Sequence, residues 1–213
     1  MPLMDKTKAK NLEDILDGIE EEMEEKDTVR ELALKSSRAI ARLSVSALGG
    51  LHRGEDVRKL LDEARDEALR LRSLLKEHPD IFHSGFVENA HQDITEAAVA
   101  FSLLKGSPLP RPQDLAVTSR AYVLGLGDVV GELRRYALER LREGQLEGSK
   151  KALEAMETIY QGLMRFDYPK AVVAIKRKQD IARSLLEKTR GEVAVALRSF
   201  ELEKKLDELS GKS

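Results

Sequence analysis

The chain has 213 residues, no cysteine and a net charge of -2. Its length suits one domain, or two small ones, and allows roughly 70 % of the unfolded surface to be buried. The missing cysteines exclude a disulfide scaffold and a thiolate metal site, and the near-neutral total excludes a uniformly basic nucleic-acid binder.

Charged residues make up 35 % of the chain and aromatics 4 %, with no Trp. The six prolines, at 2, 79, 108, 110, 112 and 169, fall outside the long periodic segments. This pattern predicts an all-α protein. The longest charge-free run, Leu43 to Leu51, is far short of the ~18 residues that span a membrane. Residues 1–10 also lack the apolar segment of a signal peptide. A cytoplasmic protein with no membrane partner is expected.

In chain order, residues 1–10 read as a polar tail, and 11–213 as a single all-helical domain of about six or seven long antiparallel helices. The first helix is expected from Asn11 to Leu48, with a break near Asp27-Thr28 and a stop at Gly49-Gly50. Ala33, Ile40, Leu43, Ala47 and Leu51 share one of its faces, and Lys35, Arg38 and Arg42 lie opposite. A solvated amphipathic helix accounts for that division. So does a ridge of cations that tracks a phosphate backbone. Residues 1–27 hold ten acids and four bases, whereas 29–53 hold five bases and one acid, so charge is segregated along the helix.

A second helix is expected over 55–77, ended by His78-Pro79, and a third over 85–105. The loop GSPLPRP follows at 106–112. A fourth helix is expected over 113–143 and a fifth over 147–165, with a break at Tyr168-Pro169. The last is expected over 170–209, interrupted at Gly191.

The third and fourth predicted helices carry acids in apolar company. Asp93 and Glu96, three residues apart, are surface neighbours on one helix. They border the stretch from Ala97 to Leu104, which is apolar nearly all round and therefore expected to be buried. Asp128 is the only charge between Arg120 and Glu132, and Glu132 follows it by four on the same face. Gly125, Gly127 and Gly131 each cost about 1 kcal/mol in a helix interior, which close helix–helix approach would justify. If the two helices meet there, Asp128 faces Asp93 and Glu96. Such a cluster suits Mg²⁺ or Mn²⁺, which prefer hard oxygen ligands. The alternative is that each acid pairs with an arginine, of which Arg120, Arg134 and Arg135 are at hand. Glu88 and His91 form half of a di-iron motif whose second half is missing. His91 is otherwise expected on the surface or facing RNA.

Three segments carry a family resemblance: VRELALKSSRAIARLSVSALGGLHRG, YVLGLGDVVGELRRYAL and IYQGLMRFDYPKAVVAIKRKQDIARSLLEKTRGE. In this order, over residues 28–193, they resemble the translin family. The third-helix acids Asp93 and Glu96, with Asp128 in Gly-x-x-Asp-x-x-Gly-Glu-Leu, resemble its catalytic branch, translin-associated factor X. Asp93 stands where that branch carries Glu. The resemblance implies a Mg²⁺-dependent endoribonuclease acting on single-stranded RNA inside an oligomeric barrel, by attack of a metal-activated water on a phosphodiester. Asp93, Glu96 and Asp128 would hold Mg²⁺, with Mn²⁺ as a substitute, and Glu132 would be a fourth ligand or a base. Lys35, Arg38 and Arg42, with Arg30, Arg134 and Arg135, would neutralise the RNA backbone. A homo-oligomer, octameric by resemblance, is expected. The alternative implied by the same family is a non-catalytic protein that binds single-stranded RNA or DNA.

Overall fold

Helix-forming residues dominate the chain, and the computed structural model, described over residues 6–210, is correspondingly helical throughout. Seven helices occur among these residues, and no strand: α1 Lys6–His52, α2 Arg58–Leu74, α3 Pro79–Phe82, α4 Gly85–Lys105, α5 Ser119–Arg142, α6 Leu146–Leu163 and α7 Lys176–Ser210. Residues 1–5 and 211–213 lie outside this description.

The all-α expectation holds, but several boundaries move. Residues 6–10 are not a tail; they form the first turns of α1. That helix is unbroken at Asp27-Thr28 and continues through Gly49-Gly50 to His52. Gly50 does not stop the helix. It makes room for the returning chain, since a Cβ there would lie 2.7 Å from Val57 Cγ1 and 2.9 Å from Glu55 Oε2. The stop comes four residues later, at Gly54, where φ is 77°. α2 is shorter than expected, and His78-Pro79 opens the single-turn α3.

α5 starts six residues later than expected. Residues 112–116 form turns, with Ala116 at φ 57°. Thr118 then caps the helix, its hydroxyl accepting from Ala121 N–H at 3.1 Å. α7 begins at Lys176, not 170, and runs through Gly191 without interruption. Gln179 on its first turn donates to the carbonyls of Leu163 and Phe166, each at 2.9 Å, and so ties α7 to the end of α6.

Two apolar clusters fill the bundle. One joins α1, α2, the first part of α4 and residues 115–117 around Ile40, Leu71, Val87 and Ile94. The other joins the rest of α4 to α5, α6 and α7 around Val99, Leu133, Met156 and Leu186. α4 and α5 pack against each other at the middle of the molecule, with α1 on one side and α6 and α7 on the other. No helix among the described residues is long and apolar enough to cross a membrane.

Candidate carboxylate site

Of the stretch from Ala97 to Leu104, Ala97 to Ala100 and Ser102 are buried, whereas Phe101, Leu103 and Leu104 are only partly so. One turn before it, Asp93 and Glu96 are half-buried where α4 meets α5. Gly125 permits that meeting. A Cβ on it would lie 2.8 Å from both the Gln92 carbonyl oxygen and Thr95 Cβ, so the α5 backbone rests directly on α4.

Asp128 lies one turn further along α5 and faces both α4 acids. Burial, followed by the charges of Asp128, Glu132 and Asp93, pushes the Glu96 carboxyl up to about 8. The Asp93 carboxyl is also raised, first by burial and then by Asp128. The charge of Asp128 thus reaches both α4 acids across the helix contact, and that of Glu132 reaches Glu96.

The cation that answers these acids is not an arginine. Lys178, on the first turn of α7, places Nζ 2.5 Å from both carboxylate oxygens of Asp128. Its charge partly offsets the upward push on Asp93 and Glu96. Gly127 makes this reach possible, because a Cβ there would meet Lys178 Cβ at 2.8 Å and its Cγ and Cδ at 3.2 Å. The stem of the lysine lies in that notch. Gly131, by contrast, has only Leu185 Cδ1 at 4.0 Å, so close approach does not explain it.

None of the arginines named as alternative partners is paired with these acids in the bonds and ion pairs that the structure shows. Arg120 pairs with Glu88 at 3.0 Å. Arg134 forks onto Glu192 at 2.7 and 2.9 Å and donates to Thr189 Oγ1. Arg135 is exposed.

Glu132 is held by His52, the last residue of α1, through a contact between His52 Nε2 and Glu132 Oε2. The sequence does not reveal Lys178 as a partner of Asp128, and it places His52 at the end of the basic ridge rather than beside Glu132. Each lies 50 or more positions from its partner, and only the packing of α7 and α1 on α5 joins them. The glycine at 127 was the visible signal for Lys178.

Oxygen donors on two packed helices fit the chemistry of a hard divalent cation. Among the described residues, however, no three His, Asp or Glu side chains are arranged around a common point as metal ligands. Lys178 Nζ occupies the cationic position beside Asp128 instead.

Lys35, Arg38 and Arg42 are exposed on α1, opposite the buried Ala33, Ile40, Ala47 and Leu51. Arg30, on the same helix, pairs with Asp27 at 3.4 Å and Glu31 at 2.7 Å, which leaves it less available to a polyanion. The expectation for His91 is overturned. It is fully buried, with both ring nitrogens unpartnered and the Phe82 ring 5.6 Å away, edge to face. Glu88, taken up by Arg120, makes no metal motif with it.

These features define an all-α bundle whose two central helices bring four carboxylates together at their contact. The translin family model matches residues 6–193, and the chain belongs to the translin family. It is 32 % identical over 184 residues to the uncharacterized protein MJ0175 of Methanocaldococcus jannaschii, covering 85 % of this chain and 82 % of that protein. Among solved structures, AfC3PO in complex with duplex RNA superposes with a TM-score of 0.80 at 31 % identity, covering 86 % of this chain and 97 % of that one. Apo-NeC3PO superposes with a TM-score of 0.76 at 23 % identity, over 85 % of this chain and 96 % of that one, a likeness of fold.

Proposed function

We propose that this protein is a Mg²⁺-dependent endoribonuclease acting on single-stranded RNA within a homo-oligomeric barrel, in the cytoplasm. The observation that carries the reading is the set of carboxylates at the α4–α5 contact: burial raises Asp93 and Glu96 there, and the charges of Asp128 and, for Glu96, of Glu132 act in the same direction. An acid cluster of this kind lowers stability, and a helix contact alone has no use for it. Membership of a family whose solved relatives include one bound to duplex RNA supports a polyanionic ligand.

Asp93, Glu96 and Asp128 would hold the ion, which when bound supplies an activated water for attack on a phosphodiester. Glu132, oriented by His52, is the candidate base for the proton of that water. Lys35, Arg38, Arg42 and Arg135, all exposed, would hold the RNA backbone without reading bases. Single-stranded DNA, which carries the same phosphates, is a second candidate ligand.

Labelled single-stranded and duplex RNA, incubated with Mg²⁺ or with EDTA, test this directly. Product is expected from the wild type only with Mg²⁺. Asp128→Ala, checked for retained helicity, should lose at least the roughly 10–100-fold that loss of an outer-shell partner costs a metal site. Cleavage indifferent to both EDTA and the substitution would refute the mechanism. RNA retained without product, with binding lost in Arg38→Glu/Arg42→Glu, would instead establish the non-catalytic translin-type reading.

A further inference from the structure

The cation at the heart of the acid cluster belongs to the protein itself. Lys178 reaches it from a third helix, and it does so by design of the local packing. Its stem fills the notch over Gly127, so the first three carbons are held against the α5 backbone. The ammonium then sits symmetrically on both oxygens of Asp128, at 2.5 Å each. Lysine and carboxylate are both half-buried, with side-chain exposures of 25 % and 33 %, so water screens the pair less than it would on an open surface. Lys176 and Arg177, its neighbours on α7, are exposed.

We infer that Lys178 is a tethered competitor for the divalent cation: it neutralises Asp128 in the metal-free protein and must leave that carboxylate before a metal can be held there. The inference rests on the metal reading of the Asp93, Glu96 and Asp128 cluster given above. Its physical basis is competition: the ammonium already donates to both oxygens that would ligate a metal, and its charge repels a divalent ion approaching them. The lysine therefore offsets the repulsion among the acids and, by the same contact, lowers their affinity for metal. A serine or alanine at position 127 would crowd the stem, which is why glycine stands there.

The test is a calorimetric Mn²⁺ titration of the full-length protein in the absence of RNA, for the wild type, Lys178→Met, Lys178→Arg and Asp128→Ala. Methionine keeps much of the stem's volume and removes the charge. Lys178→Met is expected to bind Mn²⁺ about tenfold tighter, as loss of one charge-assisted competitor implies. Lys178→Arg, which keeps the charge, is expected to show no gain. A second readout is thermal. Metal-free Lys178→Met should melt below the wild type, and saturating Mn²⁺ should raise its Tm by more than it raises that of the wild type. If Asp128→Ala loses Mn²⁺ binding while Lys178→Met binds no tighter than the wild type, the lysine is no competitor and the inference falls alone. If wild type and Asp128→Ala titrate identically, the cluster is not the metal site, and both readings fall.

Discussion

His91 shows at the scale of one residue how burial rewrites chemistry. An imidazole with neither nitrogen hydrogen-bonded loses its hydration without recompense, and the charged form suffers most. Burial, followed by the charges of Arg72 and His83, pushes it down to about 4. Between pH 4 and the ordinary value near 6.5, the unfolded chain therefore takes up a proton that the folded one refuses. His91 carries no proton-linked cost above 6.5, and a penalty against folding builds as pH falls toward 4, an effect on the order of 3 kcal/mol. His91→Leu, of similar size and suited to apolar neighbours, is expected to flatten the fall in Tm between pH 6.5 and 4. An equally steep fall in the variant would assign that acid sensitivity to other groups. The signal for a core His91 was present at helical spacing, in Val87, Ile94 and Ala98, but the polar Gln92 and Asp93 that follow it argued for the surface. The short α3 that brings Phe82 over it was itself unreadable behind His78-Pro79. The acids were legible for the opposite reason: a charge inside an apolar run has to be explained, wherever its partner lies.

At the scale of helices, the three glycines of α5 separate into two kinds. Gly125 lies against a backbone carbonyl and a β-branched side chain, neither of which moves aside cheaply. Gly125→Ala is expected to destabilise the protein by about 1–3 kcal/mol through overpacking, despite alanine's better helix propensity. Gly131 meets nothing closer than 4.0 Å, so Gly131→Ala should be neutral or stabilise by up to about 1 kcal/mol. Urea unfolding of the two variants beside the wild type decides the matter, and a stabilising Gly125→Ala would contradict the close α4–α5 contact. Helix identity along the chain was readable because the apolar period is long and clean. Helix ends were not, since they depend on what the cap touches. Gly49-Gly50 looked like a stop yet serves the turn packed around Val57, while Thr118, hidden behind the prolines at 108, 110 and 112, was the true start of α5.

The whole molecule leaves an unfinished surface. α1 spans 47 residues, about 70 Å of helix, and its first half carries Leu12, Ile15, Leu16, Ile19 and Met23 exposed on a stripe with helical spacing. The far end of α7 does the same with Val195, Leu202, Leu206 and Leu209. Two apolar stripes projecting from the bundle are more than a stable monomer ordinarily leaves to water. The homo-oligomer proposed above would supply the cover, with second copies of the chain seated on the stripes. Glu20 and Glu24 border the α1 stripe, which sets it apart in charge from the basic ridge further along the same helix. Gel filtration with light scattering should therefore return a multiple of the 23.9 kDa chain mass. Leu16→Glu combined with Ile19→Glu should lower that mass while far-UV circular dichroism stays unchanged, because both positions are exposed within one copy and charge there disturbs only what docks on them. A double variant that keeps the wild-type mass would remove α1 from the subunit contact, and a wild type of one-chain mass would exclude the barrel altogether.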